Sequence, residues 1–176
     1  MTSTDQLILR TGVPDDVLAI SALAIQVFLD TYAIDGVRPD LAREAFREYA
    51  VEAFEARLRE PERRFLLAMR GAGLAGFAEL TINDRAAPAG EVSGSELVRL
   101  YVQPRFQSIG LGRRLLSAAE GVAAEGGART LWLTAWEGNE RARAFYARCG
   151  YADIGQTSYE FEGQAYPNRV LARLCQ

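Results

Sequence analysis

The sequence predicts one α/β domain: a single mixed, mostly antiparallel twisted sheet of six to seven strands with helices on both faces. Helix-like and strand-like segments alternate early in the chain and give way to hairpins later, the pattern of one sheet covered by helices. With 176 residues, 49% hydrophobic and 24% charged, the chain can bury one core without disulfides or metals. Neither an internal repeat nor a second composition regime appears, so residues 1–176 are read as one domain.

Leu7 to Arg10 is a short first strand. Pro14, Asp15 and Asp16 open a helix as a first-turn proline and acidic residues should, and Val17, Ile20, Ala24, Val27 and Phe28 form its apolar face. Thr31 to Pro39 breaks the pattern. Asp40 then caps a second helical region through about Arg59, with Leu41, Ala45, Phe46, Phe54 and Leu58 on the buried side and Pro61 as its stop. Phe65 to Met69 and Leu74 to Ile82 are strands joined around Gly71 to Gly73. Asn83 to Ser95, rich in small and turn residues, reads as a loop. Leu97 to Val102 is the next strand. Leu111 to Glu125 is a helix with Leu111, Leu115, Leu116, Ala119, Val122 and Ala123 on one face, closed by Gly126 and Gly127. Thr130 to Trp136 is a strand, and Glu140 to Arg148 is a helix capped by Asn139. Tyr151 to Ile154, Ser158 to Glu162 and Arg169 to Leu174 complete the sheet.

Composition excludes several chemistries. The chain has no histidine, which removes Ser-His and Cys-His nucleophilic machinery and the commonest transition-metal ligand. Cys149 and Cys175 form neither a disulfide framework nor a Cys-x-x-Cys site, and no metal site is expected. A net charge of −3, with no basic stripe, argues against a nucleic-acid partner. No run is long enough to cross a membrane, and Met1 to Arg10 lacks the form of a signal peptide, so the expected location is cytoplasmic.

Gln107-Ser108-Ile109-Gly110-Leu111-Gly112 stands between a strand and a helix. Such a turn aims backbone N–H groups and the positive end of a helix dipole at one spot, an arrangement that binds phosphate oxygens. Arg113 and Arg114 follow where a nucleoside-triphosphate loop needs Lys-Ser/Thr, and the third glycine of a dinucleotide fingerprint is missing. The hexapeptide resembles the coenzyme A loop of the GNAT superfamily of N-acyltransferases, Arg/Gln-x-x-Gly-x-Gly/Ala. Leu97 to Pro104 looks like that family's fourth strand with its Val-x-Pro exit. Asn139 to Tyr151 resembles its second signature, Asn-x-x-Ala-x-x-Phe-Tyr-x-x-x-Gly-Phe/Tyr, at every named position. The strong motifs cover roughly residues 65–155.

The resemblance implies a splayed pair of parallel strands around Leu100 and Leu133, with acetyl-CoA as co-substrate in the cleft. A β-bulge near Arg99 to Tyr101 would cause the splay. Backbone groups at Leu100, Tyr101 and Val102 would meet the pantetheine arm. Gln107, Ser108, Ile109, Gly110, Leu111, Gly112 and Arg113 would hold the pyrophosphate, and Asn139, Ala142 and Tyr146 would line the cofactor. Arg105, Arg113 and Arg114 could pair with phosphates. Gln107 replaces an arginine common in the family.

Acetyl transfer to an amine needs a neutral amine, a donor to the tetrahedral oxyanion and a proton for the leaving thiolate. Tyr146 matches the tyrosine that many GNAT enzymes use as general acid, and a phenol is protonated at neutral pH. The base is Glu96 or Glu79. Glu96 lies eleven positions before Gln107, the register of the glutamate used by the superfamily's histone acetyltransferases. Glu79 could instead anchor a cationic substrate, and Glu137 is a third candidate. A backbone N–H near Tyr101 or Val102 would meet the oxyanion. Phe28, Tyr32, Glu79 and Trp136 are the acceptor-site candidates, with Tyr49 and Tyr159 beside them, since an aromatic wall suits an alkylammonium. Phe28 to Tyr32 followed by Leu97 to Gln107 looks like members grouped near polyamine acetyltransferases. The expected function is direct transfer of acetyl from acetyl-CoA to a primary amine of a small molecule or a protein. A non-catalytic acyl-CoA sensor on the same fold is the alternative, and a homodimer is left open.

Overall fold

The computed structural model describes residues 6–88 and 92–175. Its strands are β1 (Leu7–Thr11), β2 (Arg63–Arg70), β3 (Gly73–Ala86), β4 (Ser93–Val102), β5 (Thr130–Trp136), β6 (Ala152–Phe161) and β7 (Gln164–Leu174). The helices are α1 (Val17–Tyr32), α2 (Pro39–Glu48), α3 (Val51–Arg59), α4 (Leu111–Glu125) and α5 (Glu140–Arg148), with 3-10 turns at Pro14–Asp16 and Pro104–Phe106. The strands hydrogen-bond in the order β1-β2-β3-β4-β5-β7-β6. β4 and β5 pair in parallel, whereas β1 with β2, β5 with β7 and β6 with β7 are antiparallel. The mixed, mostly antiparallel sheet expected from the sequence is therefore present.

The chain forms two compact units. One holds the described residues up to Glu79 together with Arg99–Ala118; the other holds Leu80–Val98 and the described residues from Ala119 onward.

In the first unit, Asp16 ends the 3-10 turn by accepting the Val13 N–H at 2.8 Å and pairing with Arg10 at 2.6 Å. α1 then buries Val17, Ile20, Leu23, Ala24 and Phe28, one stripe at helical spacing, and runs on through Thr31 to Tyr32. The single helical region expected from Asp40 to Arg59 is two helices. Ala50 is extended (φ −57, ψ 149), and the Ser21 hydroxyl donates to the Tyr49 carbonyl at 2.5 Å, so the chain turns where Tyr49 packs inward. Phe46, expected on the buried side, is 70% exposed, while Leu41, Ala45 and Phe54 are buried. Arg38, not Asp40, occupies the N-cap; Pro39 and Asp40 form the first turn.

In the second unit, the reading of Asn83 to Ser95 as a loop is too long. β3 continues to Ala86, β4 begins at Ser93, and Ala87 N–H donates to Val92 O at 2.8 Å to close the hairpin. Residues 89–91 of that expected loop lie outside the described residues. Tyr151 to Ile154 and Ser158 to Glu162, read as two strands, are replaced by one strand, β6, which runs from Ala152 to Phe161 with a register shift between Asp153 and Gly155. Glu162 (φ 49) and Gly163 (φ 74) make the β6–β7 turn, both left-handed as a two-residue hairpin requires. α4 ends at Gly127 (φ 85), with Ala128 N–H donating to Ala123 O and Gly127 N–H to Ala124 O. Trp132, Ala87, Val170 and Ala172 form a core cluster.

Candidate active site

The first unit carries the glycine loop. Gln103 N–H donates to Ala75 O at 2.9 Å at the exit of β4, and the Pro104–Phe106 turn leads into Gln107. The Gln107 side chain donates to Val102 O at 3.0 Å, tying the loop to the strand it leaves. That side-chain amide is thereby engaged with the backbone. Ser108 (φ 66) and Gly110 (φ 83) are both left-handed. A serine in that region is an outlier of the kind that clusters at ligand sites. Arg114 N–H closes onto Gly110 O at 3.1 Å, the first turn of α4. Left-handed residues leading into a helix N-terminus form a concave, anion-seeking set of N–H groups.

Leu111 and Leu115 anchor α4 against Ala68 and Ala75, with Leu100, Val102 and Phe106 packed on the same cluster. The cofactor candidates Leu100 and Val102 thus face α4 with their side chains. Arg114 donates to Leu7 O at 3.1 Å, which commits its guanidinium to β1.

The same unit contains a chain of alternating charges. Glu79 is completely buried, with Oε1 3.1 Å from Arg63 and Oε2 2.5 Å from Arg99. Arg99 reaches Glu48 at 2.5 Å with its other arm, Glu48 also holds Arg57 at 2.5 Å, and Arg63 holds Glu60 at 2.7 Å. The Arg99 guanidinium lies 5.2 Å from the centre of the Tyr49 ring and 5.9 Å from that of Phe54. Burial pulls the pKa of Arg99 down, but Glu79, then Tyr101, Tyr49 and Glu48, outweigh it and hold the side chain firmly charged. Tyr49 and Tyr101 meet hydroxyl to hydroxyl at 3.1 Å. Phe28 packs on Tyr32 and Tyr49 with ring centres 4.9 and 5.2 Å apart, and Phe77 packs on Tyr101 at 5.5 Å.

This unit therefore gathers three acceptor-site candidates, Phe28, Tyr32 and Glu79, with Tyr49 beside them. Phe28 is 1% exposed and serves as core. Arg99 and Glu48 were missed by sequence reasoning. The available signal was an arginine inside the apolar run Leu97-Val98-Arg99-Leu100, which demands a counter-ion if the strand is buried.

In the second unit, Asn139 caps α5, its side-chain oxygen accepting the Ala142 N–H at 3.1 Å. Tyr146 lies on the same helix, 8% exposed, with ring centres 5.2 Å from Phe145 and 5.6 Å from Tyr151. The Tyr151 hydroxyl donates to Glu120 at 3.1 Å, and Arg173 reaches the same oxygen at 3.0 Å. Burial and then the Glu120 charge push the Tyr151 phenol far above its ordinary range, so it stays protonated.

Glu96 lies on β4 opposite Trp132 of β5, and Ser95 lies opposite Leu131. Its carboxylate is 3.4 Å from Arg85 and partly exposed. A Cβ on Gly94 would collide with Thr130 O, which shows how closely the parallel strands approach at that end. Trp136 meets Tyr166 edge to face at 6.0 Å, next to Phe161 and Tyr159. Glu137 accepts from Gln156 at 3.0 Å and lies 3.7 Å from Arg169.

All twenty basic residues of the chain are arginines, so proton transfer falls to carboxylates, tyrosines, thiols or water. Among the described residues no group of three or more His, Cys, Asp or Glu could hold a metal ion, and no helix is long and apolar enough to cross a membrane.

Residues 30–151 match the model of the acetyltransferase (GNAT) family. An uncharacterised N-acetyltransferase of the pepI 3′ region in Lactobacillus delbrueckii subsp. lactis is 30% identical over 129 residues, covering 73% of this chain and 75% of that protein. The peptidyl-lysine N-acetyltransferase YjaB of Escherichia coli is 30% identical over 95 residues, 53% of this chain and 61% of its own. The PaiA N-acetyltransferase of Thermoplasma acidophilum, solved with coenzyme A, matches with a TM-score of 0.74 at 21% identity, over 96% of this chain and 99% of that one. YncA of Salmonella typhimurium, solved with acetyl-CoA, matches with a TM-score of 0.68 at 19% identity, over 98% and 95%. These two structures share the fold.

Proposed function

The chain belongs to the GNAT acetyltransferase family, and from that premise we propose that it moves an acetyl group from acetyl-CoA directly to a primary amine of a small molecule or a protein. The observation that carries this reading is the turn from β4 into α4, where left-handed Ser108 and Gly110 precede the helix amides. The coenzyme A carried by PaiA and the acetyl-CoA carried by YncA support the choice of cofactor. Because the family match, residues 30–151, runs through both compact units, we take the whole chain as one catalytic domain.

Gln107, Ser108, Ile109, Gly110, Leu111, Gly112 and Arg113 are assigned to the pyrophosphate, with their backbone amides as donors. Leu100, Tyr101 and Val102 are assigned to the pantetheine amides, and the Val102 carbonyl accepts from Gln107. Asn139 and Ala142 complete the cofactor contacts beside Tyr146.

The amine lone pair attacks the thioester carbon, and the oxyanion is met by a backbone N–H of β4. The C–S bond then breaks and the thiolate takes its proton from Tyr146. Glu96 is assigned as the base, acting through water. Glu79 is set aside for this role because it is wholly buried and arginines hold both its oxygens. Acceptor contact is assigned to Tyr32 and Trp136, both half-buried residues. Among the described residues no nucleophile is visibly activated, and direct transfer without an acyl-enzyme is the step proposed.

Initial rates measured against both substrates test this reading. Intersecting double-reciprocal lines are expected. Parallel lines, with an acetylated protein seen by mass spectrometry, would overturn direct transfer.

A further inference from the structure

We propose that Arg99 is a positioning residue for coenzyme A: its fork, clamped between Glu79 and Glu48, fixes the β4 backbone at Leu100–Val102 against which the pantetheine arm lies. The proposal rests on the assignment of Leu100–Val102 and residues 107–113 to the cofactor.

Arg99 immediately precedes that segment. One arm goes to Glu79 on β3, the other to Glu48 at the end of α2, and the planar face covers Tyr49. Each carboxylate is in turn held by a second arginine, Arg63 on β2 and Arg57 on α3. Four elements are thus tied to one side chain of β4. A buried ion pair is a poor source of stability compared with apolar packing, because desolvation offsets most of its Coulomb energy. What it supplies is direction: two bidentate-capable partners fix a planar group far more tightly than a hydrophobic contact does.

Two further contacts fix the same segment. The Tyr101 hydroxyl meets that of Tyr49, whose ring the guanidinium covers. On β3, a Cβ on Gly76 would stand 2.8 Å from Tyr101 O and 3.3 Å from the Val102 Cα, so the glycine lets β3 lie directly against this stretch. Side chain, hydroxyl and neighbouring backbone all specify where the Leu100–Val102 amides point. A pantetheine arm binding as an extra strand would read that placement through two or three hydrogen bonds.

The test separates the arm from the nucleotide. Acetyl-CoA and adenosine 3′-phosphate 5′-diphosphate, the nucleotide half of coenzyme A, are titrated calorimetrically into wild type, Arg99→Lys and Glu48→Gln. Lysine keeps the charge but cannot fork. Arg99→Lys should weaken acetyl-CoA about ten-fold while the nucleotide half binds as before, and Glu48→Gln, which removes the charge holding one arm, should weaken it about three-fold. If Arg99→Lys lowers Tm and leaves both affinities unchanged, or weakens both ligands equally, Arg99 is merely structural and the proposal fails while the cofactor assignment stands. If wild type binds acetyl-CoA no better than the nucleotide half, the Leu100–Val102 assignment itself fails.

Discussion

Gly110→Ala distinguishes a loop that binds pyrophosphate from a loop that only starts a helix. Gly110 has φ +83, and a Cβ there would meet no atom within 4 Å. The cost to the folded protein is therefore only the left-handed backbone, about 1 kcal/mol, which lowers Tm by about 2–4 °C in a chain of this size. Gly127, at the other end of α4, has φ +85 and equally open surroundings, so Gly127→Ala should cost the same. The two variants differ only in what the new methyl group would face. If residues 107–113 hold the pyrophosphate as proposed, a methyl at Gly110 would stand in its path. Displacing one or two charge-assisted N–H contacts, at about 1.5–3 kcal/mol each, should weaken acetyl-CoA by about 10- to 10,000-fold. Thermal melts and calorimetric titration of both variants make the comparison. Equal melting losses with acetyl-CoA affinity lost only in Gly110→Ala are expected. Equal affinities in the two variants would refute the assignment of residues 107–113.

Gly76→Ala should be worse for folding than either, by about 1–3 kcal/mol in chemical denaturation, because its Cβ meets the β4 backbone and not solvent. An unchanged denaturation midpoint would mean that β3 and β4 can part without cost at Tyr101. The Asp16 carboxyl is held below the usual carboxylate range chiefly by its hydrogen bond from Arg10, against a smaller opposing effect of burial. A depressed carboxyl contributes stability above its unfolded value, near pH 4, and loses it as pH falls through the lower folded value. The stability gap between wild type and Asp16→Asn should therefore be full at pH 6–7 and close in strong acid. A gap that widened on acidification would contradict the pairing.

Much of the fold was legible because local chemistry determined it. α4 starts and stops where its glycines say, and α5 begins at the asparagine that caps it. β5 spans the residues that its apolar run marks. What escaped depends on contacts distant in sequence. The break between α2 and α3 rests on Ser21 holding the Tyr49 carbonyl, 28 residues away, and helical periodicity does not register such a bond. β3 was cut short at Ile82 because Asn83 to Ala86 look like turn residues, yet the hairpin partner in β4 keeps them extended. Tyr151 to Ile154 and Ser158 to Glu162 read as separate strands, whereas β6 runs through the residues between them, past a register shift between Asp153 and Gly155. Glu79 shows the limit for the site. A glutamate on a strand offers the same letters whether it takes protons or neutralises arginines; its partners, Arg63 and Arg99, lie 16 and 20 residues away.

Acetyl transfer itself is tested most directly by coenzyme A release from acetyl-CoA across a panel of primary amines, including spermidine, free amino acids and a lysine peptide, with wild type and Tyr146→Phe side by side. Release by wild type with at least one amine is expected, falling about 100-fold or more in Tyr146→Phe while acetyl-CoA affinity stays within about two-fold. Tight acetyl-CoA binding with no release for any amine would contradict it, and a Tyr146→Phe variant that turns over like wild type would contradict the role given to Tyr146.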